Sequence, residues 1–251
     1  RAANARSTSP TALPNPNYAN VDWSGNAGYD PNDPRTYFST MGCRTANGFD
    51  INGFGQLKDG RGNICPTTII LPTLAMEAGG DVEAFMTLLD QKIHEAKDTL
   101  IERFNWICSQ DPRSAPFMWD NNTMAGYVPE EGIRSALKHG TLAMGQLGMA
   151  ETLQILIGKN HTHPEGLALA KRIEELFSKR CNEFKHEYKL NFGVYYTPAE
   201  NLCFTAMEKF KARYGVIKNV SDRDYFTNSI HVPVWEKMTP FEKIDIECQL
   251  T

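Results

Sequence analysis

In residues 81–108 an apolar side chain returns every third or fourth position: Val82, Phe85, Met86, Leu89, Ile93, Ala96, Leu100, Phe104 and Ile107. Glu83, Lys92, Glu95, Lys97 and Glu102 fall outside that stripe. The spacing predicts an amphipathic helix with one buried face. A second stripe, Leu169, Ile173, Leu176, Phe177, Cys181, Phe184 and Tyr188, predicts another helix, opened by a capping box at Thr162-His-Pro-Glu165. The same start signal stands at Thr197-Pro-Ala-Glu200 and at Thr239-Pro-Phe-Glu242. In each, a hydroxyl can accept a backbone N–H, a proline sits where no N–H is needed, and a glutamate reaches back.

Other segments lack the helical period. Residues 63–76 (NICPTTIILPTLAM) are β-branched and almost continuously apolar, the pattern of a strand covered on both faces. Residues 140–148 (GTLAMGQLG) are apolar but carry three glycines, which suits a strand that something approaches closely. The short runs 37–41, 192–196 and 230–235 are further strand candidates, the last interrupted by Pro233, and 149–157 reads as helical. Strands alternating with long helices define an α/β fold. Residues 1–34 are rich in Asn, Pro, Ser, Gly and Asp, and 46–62 are glycine-rich, so both read as loops or lids.

Composition narrows the possibilities. A chain of 251 residues with 41% hydrophobic and 22% charged residues can bury a sizeable core. Its net charge of −4 speaks against a broad nucleic-acid footprint. No apolar run approaches the roughly 18 residues of a spanning helix, so no membrane association is expected. The six cysteines, Cys43, Cys65, Cys108, Cys181, Cys203 and Cys248, form no CxxC pair. They are expected to be reduced thiols of a cytoplasmic protein rather than a disulfide framework.

Most chemistry-bearing motifs are missing: there is no phosphate loop of the GxxxxGK[ST] type, no HExxH and no GxSxG. His161-Thr-His163 has no cysteine or carboxylate at ligand spacing, so it is expected on the surface and no metal site is expected. Cys43 stands out in YFSTMGCRT (37–45), beside Gly42 and Arg44. A nucleophilic thiol would need a base or a thiolate-stabilising charge, and no Cys–His arrangement is visible. A thiyl radical needs instead a shielded sulfur close to a C–H bond. From residue type alone, a core thiol at a bend and a reactive sulfur on a loop both remain open.

The stretches STMGCRT, DGRGNICPTTIILPTLAM, GTLAMGQLGMAETLQILIG, ENLCFTAMEKFKARYG and YFTNSIHVPVWEKMTPFEKIDIE occur in that order. With them the chain, from about residue 37 to 251, resembles the anaerobic (class III) ribonucleoside-triphosphate reductases, which are glycyl-radical enzymes. The resemblance implies that residues 1–251 are a partial catalytic domain, part of a ten-stranded α/β barrel made of two five-stranded halves. A finger loop, about 37–63, would carry Cys43 into that barrel. It implies a reaction in which a glycyl radical oxidises Cys43 to a thiyl, which takes the 3′-hydrogen of a ribonucleoside triphosphate. Water then leaves from C2′, formate supplies electrons, and the hydrogen returns to C3′.

Carried over by motif, Asn63 matches the family's asparagine near the thiyl cysteine and the formate or substrate hydroxyls; it reads equally as a strand-end residue. Met41 and Arg44 flank the cysteine and are substrate-binding candidates. Phosphates are expected at helix N-termini, which brings in Thr197 and Asn201, with Ser229 and His231 as further candidates that read equally as ordinary strand residues. The family further implies ATP and dNTP effectors, zinc, an iron–sulfur activase using S-adenosylmethionine, and a homodimer. Its ATP cone, upstream cysteine, four-cysteine zinc site and glycyl-radical loop have no counterpart in this sequence, so the chain is expected to be an internal fragment, inactive alone. Cys65 departs from the family, which often has glycine near that position, and raises a dithiol reductant against a structural thiol. Two other readings stand beside this one. A pyruvate formate-lyase-like enzyme would place two adjacent cysteines on the finger, where Cys43 stands alone; the other is a non-catalytic nucleotide-binding barrel remnant.

Overall fold

The computed structural model describes residues 49–55, 60–121, 123–196, 199 and 201–250. Its elements run β1 (Asn63–Ile70), α1 (Leu71–Glu77), α2 (Val82–Cys108), β2 (Thr141–Leu147), α3 (Met149–Ile157), α4 (Pro164–Tyr188), β3 (Asn191–Tyr195), α5 (Asn201–Tyr214) and α6 (Pro240–Glu247). Short helical turns fill the connection from α2 to β2. The three strands form one parallel sheet in the order β1-β2-β3, as helical crossovers demand. The mixed α/β class is as expected; the strands 37–41 and the tip of the finger loop lie outside the described residues.

Register sorts the strand residues into two faces. Asn63, Thr141 and Asn191 stand side by side at the N-terminal ends, and Ile64, Leu142 and Phe192 follow on the other face. Ile64, Ile69, Leu142, Met144 and Phe192 pack beneath α2 and α4, against Phe85, Leu89, Ile93, Leu100, Ile173, Phe177 and Phe184. Each fully buried side chain of this size stabilises the fold by about 1.5–3 kcal/mol. The opposite face carries small or polar side chains, Asn63, Thr68, Ala143, Gly145, Asn191 and Gly193, with bulk only toward its C-terminal end at Ile70 and Tyr195. At its C-terminal end this face meets a smaller core of Leu147, Cys203, Met207, Phe210 and Phe226, contributed largely by α5.

β1 contains a bulge. Register jumps from Ile64 opposite Leu142 to Thr67 opposite Met144, so Cys65 and Pro66 share the single partner Ala143. Cys65 takes a left-handed backbone with φ of 52°, a conformation that favours glycine. Its thiol is half-buried, and burial raises its pKa against an opposite pull from Arg103. Pro66 is exposed and needs no ladder partner at a bulge on an edge strand.

Four expectations change. The apolar run 63–76 is a strand only to Ile70; Pro72 then sits in the first turn of α1, which buries Leu71, Leu74 and Ala75. Residues 230–235 form turns rather than a strand, with the Val232 N–H turned to the Glu247 carboxylate at 2.7 Å. The helix at 164 has no side-chain cap from Thr162: Asn160 Oδ1 accepts from the Thr162 N–H and hydroxyl, and His163 takes the N-cap position. His161 is fully buried rather than on the surface. The box at Thr239 is complete, Thr239 and Glu242 satisfying each other's backbone N–H groups, and α2 is capped from one side by Asp81, which accepts from the Ala84 N–H at 2.7 Å.

Behind the sheet, Gln146 of β2 donates to Glu174 of α4, and the Tyr196 hydroxyl nearby donates to the Leu250 carbonyl at 3.0 Å. Glu174 is fully enclosed; burial raises its pKa well above the ordinary value, outweighing its bonds to Gln146 and Tyr196. The folded state therefore holds a proton that the unfolded chain releases near pH 4.5. That contribution is complete below pH 4.5 and is lost as pH rises through the folded pKa. Compared with Glu174→Gln, a neutral isostere, the wild type should lose stability as pH is raised above 4.5 in urea melts. A pH-independent difference between the two proteins would show that Glu174 is ionised in the fold.

Candidate functional site

The two ends of the sheet differ in chemistry. At the N-terminal end, segment 49–55 is held by a buried polar cluster. Asp50 Oδ2 meets His139 Nδ1 at 2.7 Å, and Asn191 Nδ2 donates to Asp50 Oδ1 at 2.7 Å. The N–H groups of Asn52 and Phe54 donate to the same carboxylate at 2.9 and 3.0 Å, and the Ile51 N–H donates to Asn191 Oδ1 at 3.1 Å. Phe54 stacks on the His139 ring, centroids 3.8 Å apart and planes within 7°. Burial acts to raise the Asp50 pKa, but the donors from Asn191, His139 and the backbone outweigh it and hold the group below the usual carboxylate range. Arg61, just before β1, donates from Nε to the His139 carbonyl, so both ends of residues 50–61 converge on one histidine.

At the C-terminal end, where open parallel sheets place their ligands, segment 226–229 bridges two strand exits. Toward β2, Glu151 of α3 accepts from the Thr227 N–H at 2.9 Å and its hydroxyl at 2.7 Å, while Gly148 and Met149 donate to the Thr227 and Ser229 carbonyls. Toward β3, Asn228 Oδ1 accepts from the Ala199 N–H at 2.7 Å and the Cys203 thiol at 3.0 Å. This polar bridge fixes the entry of α5 against the end of β2. Glu151 is enclosed, and burial raises its pKa despite its bonds to Thr227. Cys203 is pushed up to about 11, first by burial and then by Glu151, so its thiol is inert.

The residues singled out from sequence are distributed as follows. Asn63 is the first residue of β1, half-buried on the face opposite the helices, beside Thr141 and Asn191. Asn201 is exposed and opens α5. Ser229 is fully buried in the C-terminal bridge with φ of 42°. His231 lies 3.2 Å from Glu247, whose carboxylate also accepts from Val232, so it joins α6 to the bridge. Asn201 and Ser229 thus belong to the C-terminal end, and Asn63 to the other. Met41, Cys43, Arg44 and Thr197 itself lie outside the described residues. No group of three or more His, Cys, Asp or Glu suited to a metal occurs among the described residues, and no described helix is long and apolar enough to cross a membrane.

Sequence reasoning did not find Asp50, His139, Asn191 or Glu151; Asn228 stands beside Ser229 in a segment it did offer for phosphates. The first three are brought together across 89 and 141 positions, with no local spacing to announce them. Glu151 had a weak signal, a carboxylate just after a glycine-rich strand.

Three parallel strands covered by helices on one face, with a polar cluster at each end of the sheet, place the chain in the α/β class. The family model for anaerobic ribonucleoside-triphosphate reductase matches residues 10–251, and the chain belongs to that family. It is 31% identical over 222 residues to the anaerobic ribonucleoside-triphosphate reductases of Salmonella typhimurium and Escherichia coli, covering 84% of this chain and 31% of each relative. The bacteriophage T4 enzyme is 28% identical over 217 residues, covering 83% of this chain and 34% of its own. The chain thus spans about a third of the length of these relatives. Among solved structures, the Thermotoga maritima anaerobic ribonucleotide reductase with glycerol in its active site superimposes with a TM-score of 0.62 at 19% identity, covering 79% of this chain and 31% of that one. The same enzyme in complex with dATP and CTP gives 0.63 at 18% identity, covering 81% of this chain and 32% of that one. These superpositions bear on the fold.

Proposed function

We propose that this chain supplies the cysteine-bearing finger and part of the substrate-facing sheet of an enzyme that reduces ribonucleoside triphosphates to deoxyribonucleoside triphosphates without oxygen. The observation that carries the reading is the polarity of the sheet in a member of this family. Residues leading from Cys43 are rooted at the strands' N-terminal ends, and a braced helix entry suited to phosphates stands at the C-terminal ends. Between them, Ala143, Gly145 and Gly193 carry little side-chain bulk on the face where we place the ribose.

In this scheme a glycyl radical, generated by an iron–sulfur activase, supplies the oxidising equivalent that makes Cys43 a thiyl. Cys43 takes the 3′-hydrogen, the 2′-hydroxyl leaves as water, formate is oxidised to carbon dioxide to supply two electrons, and Cys43 returns the hydrogen to C3′. Asn63 sits where its amide can donate to a formate oxygen or accept from a ribose hydroxyl. The α5 entry at Thr197 and Asn201 holds the triphosphate; Met41 and Arg44 line the finger. Cys65, with its raised pKa and strained backbone at the bulge, fits a structural thiol better than a dithiol reductant. The parent enzyme works as a homodimer under nucleotide effectors, with zinc held outside this region.

Cys43→Ser in the intact enzyme, activated anaerobically, should abolish deoxyribonucleotide formation while the glycyl radical remains visible by electron spin resonance. Measurable turnover in that variant would remove Cys43 from the reaction.

A further inference from the structure

Glu174 is enclosed between α4 and the sheet and takes no part in the chemistry above; it is 5% exposed, with Gln146 of β2 fully buried beside it. Gln146 Nε2 donates to Glu174 Oε1, which leaves Gln146 Oε1 and Glu174 Oε2 enclosed and without a partner. An enclosed acceptor that lacks a donor is costly. A proton on the carboxyl supplies one, because a carboxylic acid can return a hydrogen bond to the amide that donates to it. Tyr196, the residue after β3, points to the same proton. Its hydroxyl is a hydrogen-bond neighbour of the Glu174 carboxyl, yet it donates to the Leu250 carbonyl at 3.0 Å. A phenol has one proton to give. A carboxylate would claim it, since a hydrogen bond to a charged acceptor is about twice as strong as one to a neutral carbonyl.

We propose that Gln146, Glu174 and Tyr196 form a proton-operated latch that ties the segment after α6 to the exit of β3. With the proton on Glu174, Tyr196 gives its hydroxyl to Leu250 and joins two stretches 54 positions apart. When Glu174 ionises, the hydroxyl turns to the carboxylate. The carbonyl of Leu250, a residue 2% exposed, then loses its donor, and residues 248–250 open toward water to recover one. The other titratable groups facing Glu174 stay neutral: burial, then Glu174 itself, pushes Cys181 of α4 up to about 12 and raises Tyr196 well above the ordinary phenol range. Lys185 acts on Cys181, but among the described residues no charged side chain of β2, β3 or α6 acts on Glu174. Glu174 is therefore the group that sets the latch, and it does so independently of the radical chemistry proposed above.

The test is amide hydrogen exchange at residues 248–250, whose N–H groups donate to the Ile244, Ile246 and Glu247 carbonyls. Wild type and variants are compared at equal pH from 5 to 9, so that the intrinsic exchange rate cancels. At pH 5 the wild type and Glu174→Gln should exchange alike. As pH rises the wild type should become about fivefold faster, while Glu174→Gln, which cannot ionise, keeps its protection. Tyr196→Phe has no hydroxyl to offer, so it should exchange fast already at pH 5 and gain nothing further. That comparison with wild type stands even where Glu174→Gln fails to fold. A ratio of wild type to Glu174→Gln that stays constant over the range, or wild-type protection in Tyr196→Phe at pH 5, would overturn the latch. A pH-dependent rise that persists in Tyr196→Phe would do the same, since Glu174 would then act on the fold as a whole rather than on Leu250.

Discussion

Lowering the pH from 6.5 to 4 should cost the wild-type protein on the order of 3 kcal/mol of unfolding free energy that a His161→Gln variant does not lose. His161 is fully enclosed, and neither ring nitrogen has a partner within hydrogen-bonding geometry. Burial therefore drives its pKa from 6.5 down to about 4, against smaller opposite pulls from Glu247 and the backbone of Ile230 and His231. The sign follows from where the proton binds. Above pH 6.5 the imidazole is neutral in both states and costs nothing. Between 6.5 and 4 only the unfolded chain takes up the proton, so stability falls by about 1.4 kcal/mol per pH unit; below 4 the loss is complete. Urea melts of both proteins at pH 7, 6, 5 and 4 read the effect as diverging curves, and parallel curves would mean that His161 is charged in the fold. Glu174 titrates with the opposite sign over part of this range, so the wild type alone would understate both groups.

Gly166→Ala should destabilise the protein by about 3 kcal/mol, lowering Tm by roughly 6–12 °C for a chain of this size. Alanine in the first turn of a helix would ordinarily be worth up to about 1 kcal/mol over glycine. Here the added methyl would lie 2.0 Å from the Asn160 carbonyl oxygen and 2.5 Å from its carbon. Those are backbone atoms, so the turn that carries His161 must move. Gly158→Ala separates sterics from backbone strain: its φ is 70°, but nothing lies within 4 Å of the new methyl. It should cost only about 1 kcal/mol. Equal losses in the two variants by thermal melting would show that the close approach of α4 to residue 160 is soft.

Both predictions concern features that no pattern in the sequence discloses. α2 and α4 were legible because a stripe repeating every 3.6 residues has one physical solution, a helix with a buried side. Even there Lys97, polar by pattern, is buried: its stem lies against the core and its ammonium reaches the Tyr188 hydroxyl at 3.1 Å. β2 was legible from glycines within an apolar run. The split of 63–76 into β1 and α1 was not, because a continuous apolar run has no period and only Pro72 hints at the change. Thr162 looked like a cap by spacing, yet its own N–H and hydroxyl donate to Asn160 Oδ1, and Glu165 pairs with Lys159 instead of reaching back. Of the site, Asn63 and the entry to α5 were reached through motifs, whereas the Asp50 cluster is assembled by folding and has no signature before it.

The bulge at Cys65 and Pro66 divides β1 into two segments whose side-chain facing is set separately. Below it, Asn63 points away from the helices; above it, Ile69 points into them, and the extra residue reconciles the two. Straightening the strand with both residues kept would force a choice between presenting the asparagine and burying the isoleucine, whereas removing one of them leaves a regular strand with both facings intact. The lower segment can therefore be held to its chemistry while substitutions in 67–70 are screened only for packing. In a library of variants, tolerance should change abruptly at this joint rather than grade along the strand.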